Sequence, residues 1–313
     1  VTGATGYIGG RLVPPLLDHG YAVTALARNP DKLASLPWRD RVEVVRGDLD
    51  DENSLNAAFD GQDVVYYLVH SMGTSQDFVE AEARSARNVV AAARRTGVQR
   101  LVYLGGLHPQ GRDLSPHLRS RAAVGDILID SGIETIVFQA GIVIGSGSAS
   151  FEMMRHLTNR LPAMTTPKWV HNKIQPIAID DALHYLTAAA TAEVPKSRTW
   201  DIGGPDAMEY GEAMQIYAEV AGLRRRIIIA IPFLTPTIAS LWIGLVTPMP
   251  TGLARPLIES LEVDAVMSEH DIDEIIGPPS GGLTKYRDAV AIALQRGPLP
   301  TDPHWAKAGR DTS

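Results

Sequence analysis

Three glycines, Gly3, Gly6 and Gly9, lie within the run Val1-Thr2-Gly3-Ala4-Thr5-Gly6-Tyr7-Ile8-Gly9-Gly10, and theirs is the first spacing in the chain that can do chemistry. Glycine has no Cβ, so a turn rich in it lets backbone N–H groups and the start of a following helix approach a pyrophosphate. The pattern is Gly-x-x-Gly-x-x-Gly, not the Gly-x-Gly-x-x-Gly of the dinucleotide fingerprint. Its weight therefore depends on a strand before it and a helix after it; a tight turn without a ligand is the alternative.

A second group of candidates can move protons. His117 and Arg121 are one helical turn apart on one face. An imidazole near neutrality is a competent acid, and a guanidinium beside it lowers its pKa while remaining free to hold a ribose hydroxyl. The alternative is a surface pair flanking an apolar stripe of Leu118, Ala122, Gly125 and Ile129. His70 and Ser71, at a strand end, are candidates for substrate contact or for structural hydrogen bonds. The other histidines show no metal-ligand spacing, so no metal is expected. Asp180 and Asp181, adjacent carboxylates that point apart at a helix start, read as N-terminal capping more than as an acid–base pair. Gly145-Ser146-Gly147-Ser148 does not fit the Gly-x-Ser-x-Gly of a nucleophile elbow, which argues against a hydrolase.

The elements that must position these residues follow a β-α rhythm. Ile8, Leu12 and Leu16 recur at helical spacing before Gly20, with Pro14-Pro15 expected to kink or end that helix. Strands are predicted over 21–27, 42–45, 63–69, 101–104 and 135–139. Between them come a short helix marked by Leu55, Ala58 and Phe59, one carrying Ala86, Val89, Val90 and Ala93, and one entered at Ser115-Pro116. Further strands are predicted over 174–179 and 199–202. This order predicts an α/β fold with a doubly wound parallel sheet (Rossmann), its ligand lying along the carboxyl ends of the strands. Residues 1–145, rejoined by 174–204, form the expected nucleotide domain; 146–173 and 205–313 form a smaller substrate lid. At the end of the second strand an acidic residue would accept the ribose of NAD, and an arginine the phosphate of NADP. Ala27 and Arg28 occupy that corner, favouring NADP(H) over NAD(H); a solvent-facing Arg28 is the alternative.

Composition sets outer limits. The chain has 313 residues, 45% hydrophobic and 21% charged, with net charge −7 and no long basic run, so a nucleic-acid partner is not expected. The absence of cysteine excludes disulfides, thiolate metal sites and thiol nucleophiles, and fits a cytoplasmic location. The sequence opens without Met inside the glycine motif, so the first strand is expected to lack its N-terminal half, and targeting residues could be missing with it. From Ile227 to Ala254 no residue is charged, and Arg224-Arg225-Arg226 stands just before. Pro232, Pro236, Pro248, Pro250 and Gly244 divide this stretch too finely for a membrane span. It reads as an apolar lid over a greasy pocket, with peripheral membrane contact as the alternative. The oligomeric state stays open.

With these motifs in order, the sequence resembles the extended and atypical branches of the short-chain dehydrogenase/reductase superfamily, including the NmrA-like NAD(P)-binding proteins. The likeness runs from Thr2–Gly9 through Gly47-Asp48-Leu49, Leu101-Val102-Tyr103-Leu104 and Ile177-Ala178-Ile179-Asp180-Asp181 to Asp201-Ile202-Gly203-Gly204-Pro205. It implies that Gly3, Thr5, Gly6, Tyr7 and Ile8, with Gly9, hold the pyrophosphate and Arg28 the ribose phosphate. It implies further that Asp48 and Leu49 meet the adenine, and that Leu68, Val69 and His70 meet the cofactor ribose. Active members use a Ser and a Tyr-x-x-x-Lys; here Gly105 or Gly106 and His117-Leu118-Arg119-Ser120-Arg121 fall at those places. The expected activity is an NADP(H)-dependent reduction of a small, apolar molecule. A non-catalytic NADP(H) sensor is the alternative, and a nucleotide-sugar epimerase or dehydratase fits less well.

Overall fold

The computed structural model describes residues 1–69, 76–109, 114–231 and 247–308. Strands β1 (Thr24–Ala27), β2 (Glu43–Arg46), β3 (Val64–Tyr67), β4 (Arg100–Gly106) and β5 (Glu134–Ala140) are parallel to their neighbours, and Arg198–Ile202 pairs parallel to β5. The β1–β2 pair and the run β3-β4-β5-(198–202) meet across the first two residues. Leu26 N–H donates to Val1 O at 3.0 Å, Thr2 N–H donates to Tyr66 O at 2.9 Å, and Thr2 Oγ1 accepts from Leu68 N–H at 3.1 Å. The sheet therefore reads β2-β1-(1–2)-β3-β4-β5-(198–202), and strand order reverses at the N-terminal segment. That reversal is where such sheets open a crevice for ligands.

Helices cover both faces, as the parallel strands require. On one side α1 (Tyr7–Asp18) and the helix Ile179–Ala188 bury Tyr66, Val102, Leu104, Ile136 and Phe138. On the other, α2 (Glu52–Phe59), α3 (Gln76–Thr96) and α4 (Pro116–Ile129) bury Val65, Tyr67, Leu101, Tyr103 and Val137. Successive residues of a strand point to opposite faces, which is why Tyr66 and Tyr67 belong to different cores. Ser115 caps α4, accepting from Leu118 N–H at 3.3 Å ahead of Pro116, as the sequence predicts.

Three expectations are corrected. Pro14-Pro15 does not end α1, which runs to Asp18. The Gly10 carbonyl, which a residue other than proline at position 14 would bond, instead accepts the Trp38 indole N–H at 2.9 Å. Strand 174–179 is two short pieces, Lys173–Ile174 and Ile177–Ala178, before the helix at Ile179. That helix has no side-chain cap. The Asp181 carboxylate accepts from Thr284 N–H and Oγ1 at 2.7 and 3.1 Å, and Asp180 pairs with Arg296 at 2.6 Å.

A third core around Phe151, Met154, Trp169, Tyr210, Tyr217, Ile258 and Tyr286 joins the segments beyond β5. The uncharged stretch from Ile227 is not a lid throughout: Ile227–Ala230 is a strand paired with Ala163–Thr166, and Ile227 and Ile229 are 61% and 56% exposed. Residues 232–246 lie outside the described residues, and Thr251–Ser260 is a helix. Among the described residues no helix is long and apolar enough to cross a membrane.

Candidate active site

At the reversal point a groove of about 630 Å³ runs along the carboxyl ends of the strands. Gly3, Thr5, Gly6, Tyr7 and Ile8 form its floor; Arg28, Asp48 and Leu49 line one end, and Leu68 and Val69 the other. Two glycines are required by close approach. Gly3 has φ +73°, and a Cβ there would stand 2.5 Å from Leu68 O. A Cβ on Gly9 would stand 2.3 Å from Gly3 O, so Gly9 lies behind the wall and lets α1 seat against the turn. The turn closes through Gly6 N–H to Gly3 O at 2.8 Å, leaving the first amides of α1 without helical partners at the groove. A cradle that a Cβ would fill, facing a helix N-terminus, suits a pyrophosphate. His70 and Ser71 lie outside the described residues.

Arg28 is exposed at the groove edge and has no ion-pair partner among the described residues. The sequence reading missed Arg46, which β-pairing sets beside Ala27 at the same corner, and Ser85, whose hydroxyl donates to Asp50 at 3.0 Å across the groove mouth. The first signal was available as the cation ending β2; the second depends on α3 packing over the loop. Asp48 is held by its own loop: its N–H donates to Ser54 Oγ at 3.0 Å and its carboxylate accepts from Asp50 N–H at 3.2 Å.

Beyond Ile8 and Leu104, which border both spaces, lies an apolar pocket of about 200 Å³. Gly105, Gly106, Leu118, Ile142 and Met153 wall it, and Leu257 and Leu261 close it from the helix Thr251–Ser260 and the residue after it. A Cβ on Gly106 would come within 3.0 Å of Leu118 Cδ2, so this glycine allows α4 to pack tightly on β4.

His117 and Arg121 both line this pocket. Arg121 Nε–H donates to His117 Nε2 at 3.0 Å, and His117 is only 4% exposed. Burial, aided by the Arg121 charge, pushes the imidazole down to about 3. The surface alternative is corrected for His117, whose ring is buried, and the lowering by Arg121 runs in the expected direction. With Nε2 accepting, its hydrogen sits on Nδ1, which is buried and has no partner among the described residues.

This histidine makes stability depend on pH. Its folded pKa lies below the ordinary 6.5, so the unfolded chain binds the extra proton. The contribution is complete above about 6.5 and is lost as pH falls towards about 3; His156, pushed by burial down to about 4, acts in the same direction. Thermal unfolding from pH 7 to 4 should show a falling Tm, with a shallower fall in H117Q; parallel curves would contradict the assignment.

Fold and groove together define a dinucleotide-binding protein of the Rossmann class. The sequence pattern of the NAD(P)H-binding family matches residues 3–141. Among curated proteins the chain is similar to the 3 beta-hydroxysteroid dehydrogenase/Delta 5→4-isomerase of Mycobacterium tuberculosis, with 34% identity over 130 residues, 36% of this chain. The chain spans about a third of the length of the curated relatives it matches. Two solved structures share its fold. The Citrobacter sp. triphenylmethane reductase complexed with NADP(H) has TM-score 0.71 and 21% identity, covering 93% of this chain and 98% of that one. The Escherichia coli NADPH-dependent quinone oxidoreductase complexed with NADPH also has TM-score 0.71 and 21% identity, covering 93% and 97%.

Proposed function

We propose that this protein is an NADP(H)-dependent reductase of a small, apolar, oxygen-bearing substrate. One observation carries the reading: the groove built for a dinucleotide opens at Ile8 and Leu104 onto an apolar pocket that His117 and Arg121 help to line. The turn Gly3–Ile8 holds the pyrophosphate, Arg28 the 2′-phosphate, Asp48 and Leu49 the adenine side, and Leu68 and Val69 the inner ribose. NADPH, when bound, supplies the hydride. His117 donates Nδ1–H to the substrate oxygen as charge develops there, Arg121 fixes its tautomer, and the proton that completes the product comes from water. Leu257 and Leu261 exclude bulk solvent. The names of the quinone, triphenylmethane and steroid relatives support an apolar substrate of ring character. A cytoplasmic location fits this reading.

The test uses NADPH deuterated at C4 with a panel of quinones, triphenylmethane dyes and apolar ketones. Stereospecific deuterium transfer to one class is expected. Cofactor binding without transfer to any would favour the second reading, a redox sensor, for which the glycine at the serine position and the non-ionising His117 speak. A sensor must bind the two redox states unequally, so equal affinities together with turnover exclude it.

Calorimetry on R28A should show about tenfold weaker NADPH binding and unchanged NADH binding, the loss expected for one exposed charge-assisted contact. An equal effect on both cofactors would remove Arg28 from the phosphate site.

A further inference from the structure

Ile227 and Ile229 stand out into water, and no other large apolar side chain among the described residues is as exposed. Their direction is fixed locally. Gln215, on the helix Tyr210–Val220, holds the backbone of Arg226 from both sides: its Oε1 accepts Arg226 N–H at 2.9 Å and its Nε2 donates to Arg226 O at 2.7 Å. The Arg226 side chain is buried, and alternation along the strand then sends Ile227 and Ile229 outward while Ile228 and Ala230 pack on the core around Phe151 and Tyr217. In the paired strand Met164 and Thr166 are buried, so Ala163 and Thr165, the register partners of Ile227 and Ile229, share the outer face. Both are smaller than isoleucine, so the two isoleucines protrude.

Cations border this face at both ends. The two strands run parallel, so Arg160, Arg224 and Arg225 come just ahead of them and Lys168 just beyond, and all four are exposed. Arg224, Arg225 and Lys168 have no ion-pair partner among the described residues. The nearest carboxylate along the chain to the arginine pair, Glu219, is paired with Arg287. Segments 153–179 and 220–258 together carry eight Lys and Arg and no Asp or Glu, in a chain of net charge −7. An anionic surface is repelled by the rest of the molecule and attracted here.

Cations alone would suit any polyanion, but a hydrated polyanion makes no use of two protruding isoleucines. A second copy of this chain docking on the same face would set Arg224 and Arg225 of both copies against each other. An anionic bilayer uses both features, since it offers phosphates to the cations and hydrocarbon just beneath them. We propose that this face seats the protein peripherally on an anionic bilayer. Ile227 and Ile229 enter the boundary between headgroups and acyl chains, and Arg160, Arg224, Arg225 and Lys168 hold lipid phosphates. None of these residues lines the cofactor groove, so the contact is independent of the reductase reading.

The test is flotation of the full chain with vesicles of phosphatidylcholine alone or mixed equally with phosphatidylglycerol. Binding to the mixed vesicles should be about tenfold tighter or more, and should weaken as salt rises from about 0.1 to about 0.5 M. R224Q/R225Q should weaken it about twentyfold, and I227S/I229S about tenfold or more. The chain has no cysteine, so I229C and E43C each take a single environment-sensitive label. On mixed vesicles the emission of the label at 229 should shift to the blue, and that of the label at 43, exposed on β2, should not. The lipid and salt dependence of the unmodified protein keeps the test decisive if a variant does not fold. Overturning results are no association with mixed vesicles at millimolar lipid, equal binding to both vesicle types, full binding in folded I227S/I229S, or a label at 229 that stays in water on bound protein. A concentration-dependent dimer lost in I227S/I229S, with no vesicle binding, would give the face to a second copy instead.

Discussion

Gly9→Ala is expected to weaken NADPH binding roughly ten- to a hundredfold, the largest single loss among the variants considered. The new methyl would stand 2.3 Å from Gly3 O and 2.8 Å from Gly3 C, and both are backbone atoms that no side-chain rotation can move. The only relief is for α1 to lift from the turn, which spoils the approach of its first amides to the phosphates. Overpacking of this kind costs about 1–3 kcal/mol, and every 1.4 kcal/mol taken from binding is tenfold. Gly252→Ala is the control: it lies in a helix, a Cβ there meets nothing within 4 Å, and it should leave cofactor affinity intact while raising Tm slightly. Calorimetry and thermal unfolding of both proteins decide the matter. Undiminished affinity in folded G9A would mean that the turn does not receive the phosphates.

The second large effect is expected at His117. His117→Phe keeps the pocket filled and removes Nδ1–H, and turnover with an accepted substrate should fall about a hundredfold or more, as when one donor to a developing oxyanion is removed. The Kd for NADPH should change little, because His117 does not line the cofactor groove. The neutral-donor role also makes a claim about the unmodified enzyme. Since the imidazole is held near 3, kcat should show no histidine ionisation between pH 5 and 8. A limb near 6.5 that disappears in H117F would show that the ring works as an acid after all. Arg121→Leu separates orientation from charge: without the Nε–H bond the tautomer is no longer fixed, and turnover should fall while the imidazole pKa rises. A histidine Cε1 NMR titration reads that rise directly.

The parts of this molecule legible in its sequence are those fixed by near neighbours. The glycine turn, the Ser115-Pro116 helix entry and Arg28 at a strand end are each decided within a few residues, and each lies where its spacing puts it. The state of His117 was not legible. It depends on Gly106, which lets α4 sit close to β4, and on a helix more than 130 residues further on that roofs the pocket. Asp180 and Asp181 do stand in the first turn of their helix, but they look like its caps until Arg296 and Thr284 arrive from the far end of the chain. Ile227–Ala230 looks like lid because nothing nearby in sequence announces its partner strand at Ala163–Thr166.

The bond from the Trp38 indole to the Gly10 carbonyl carries a consequence for sequence drift. Pro14 and Trp38 form one unit across 24 positions: the first withholds a donor and the second provides its replacement. Trp38 cannot be lost first, because the carbonyl would then be left without a donor at a cost of about 1–3 kcal/mol. Pro14 can be lost first, since a carbonyl oxygen has two lone pairs and tolerates two donors for a time. Among descendants of this sequence the order of change is therefore fixed, proline before tryptophan, and a lineage that keeps the proline is held to the tryptophan.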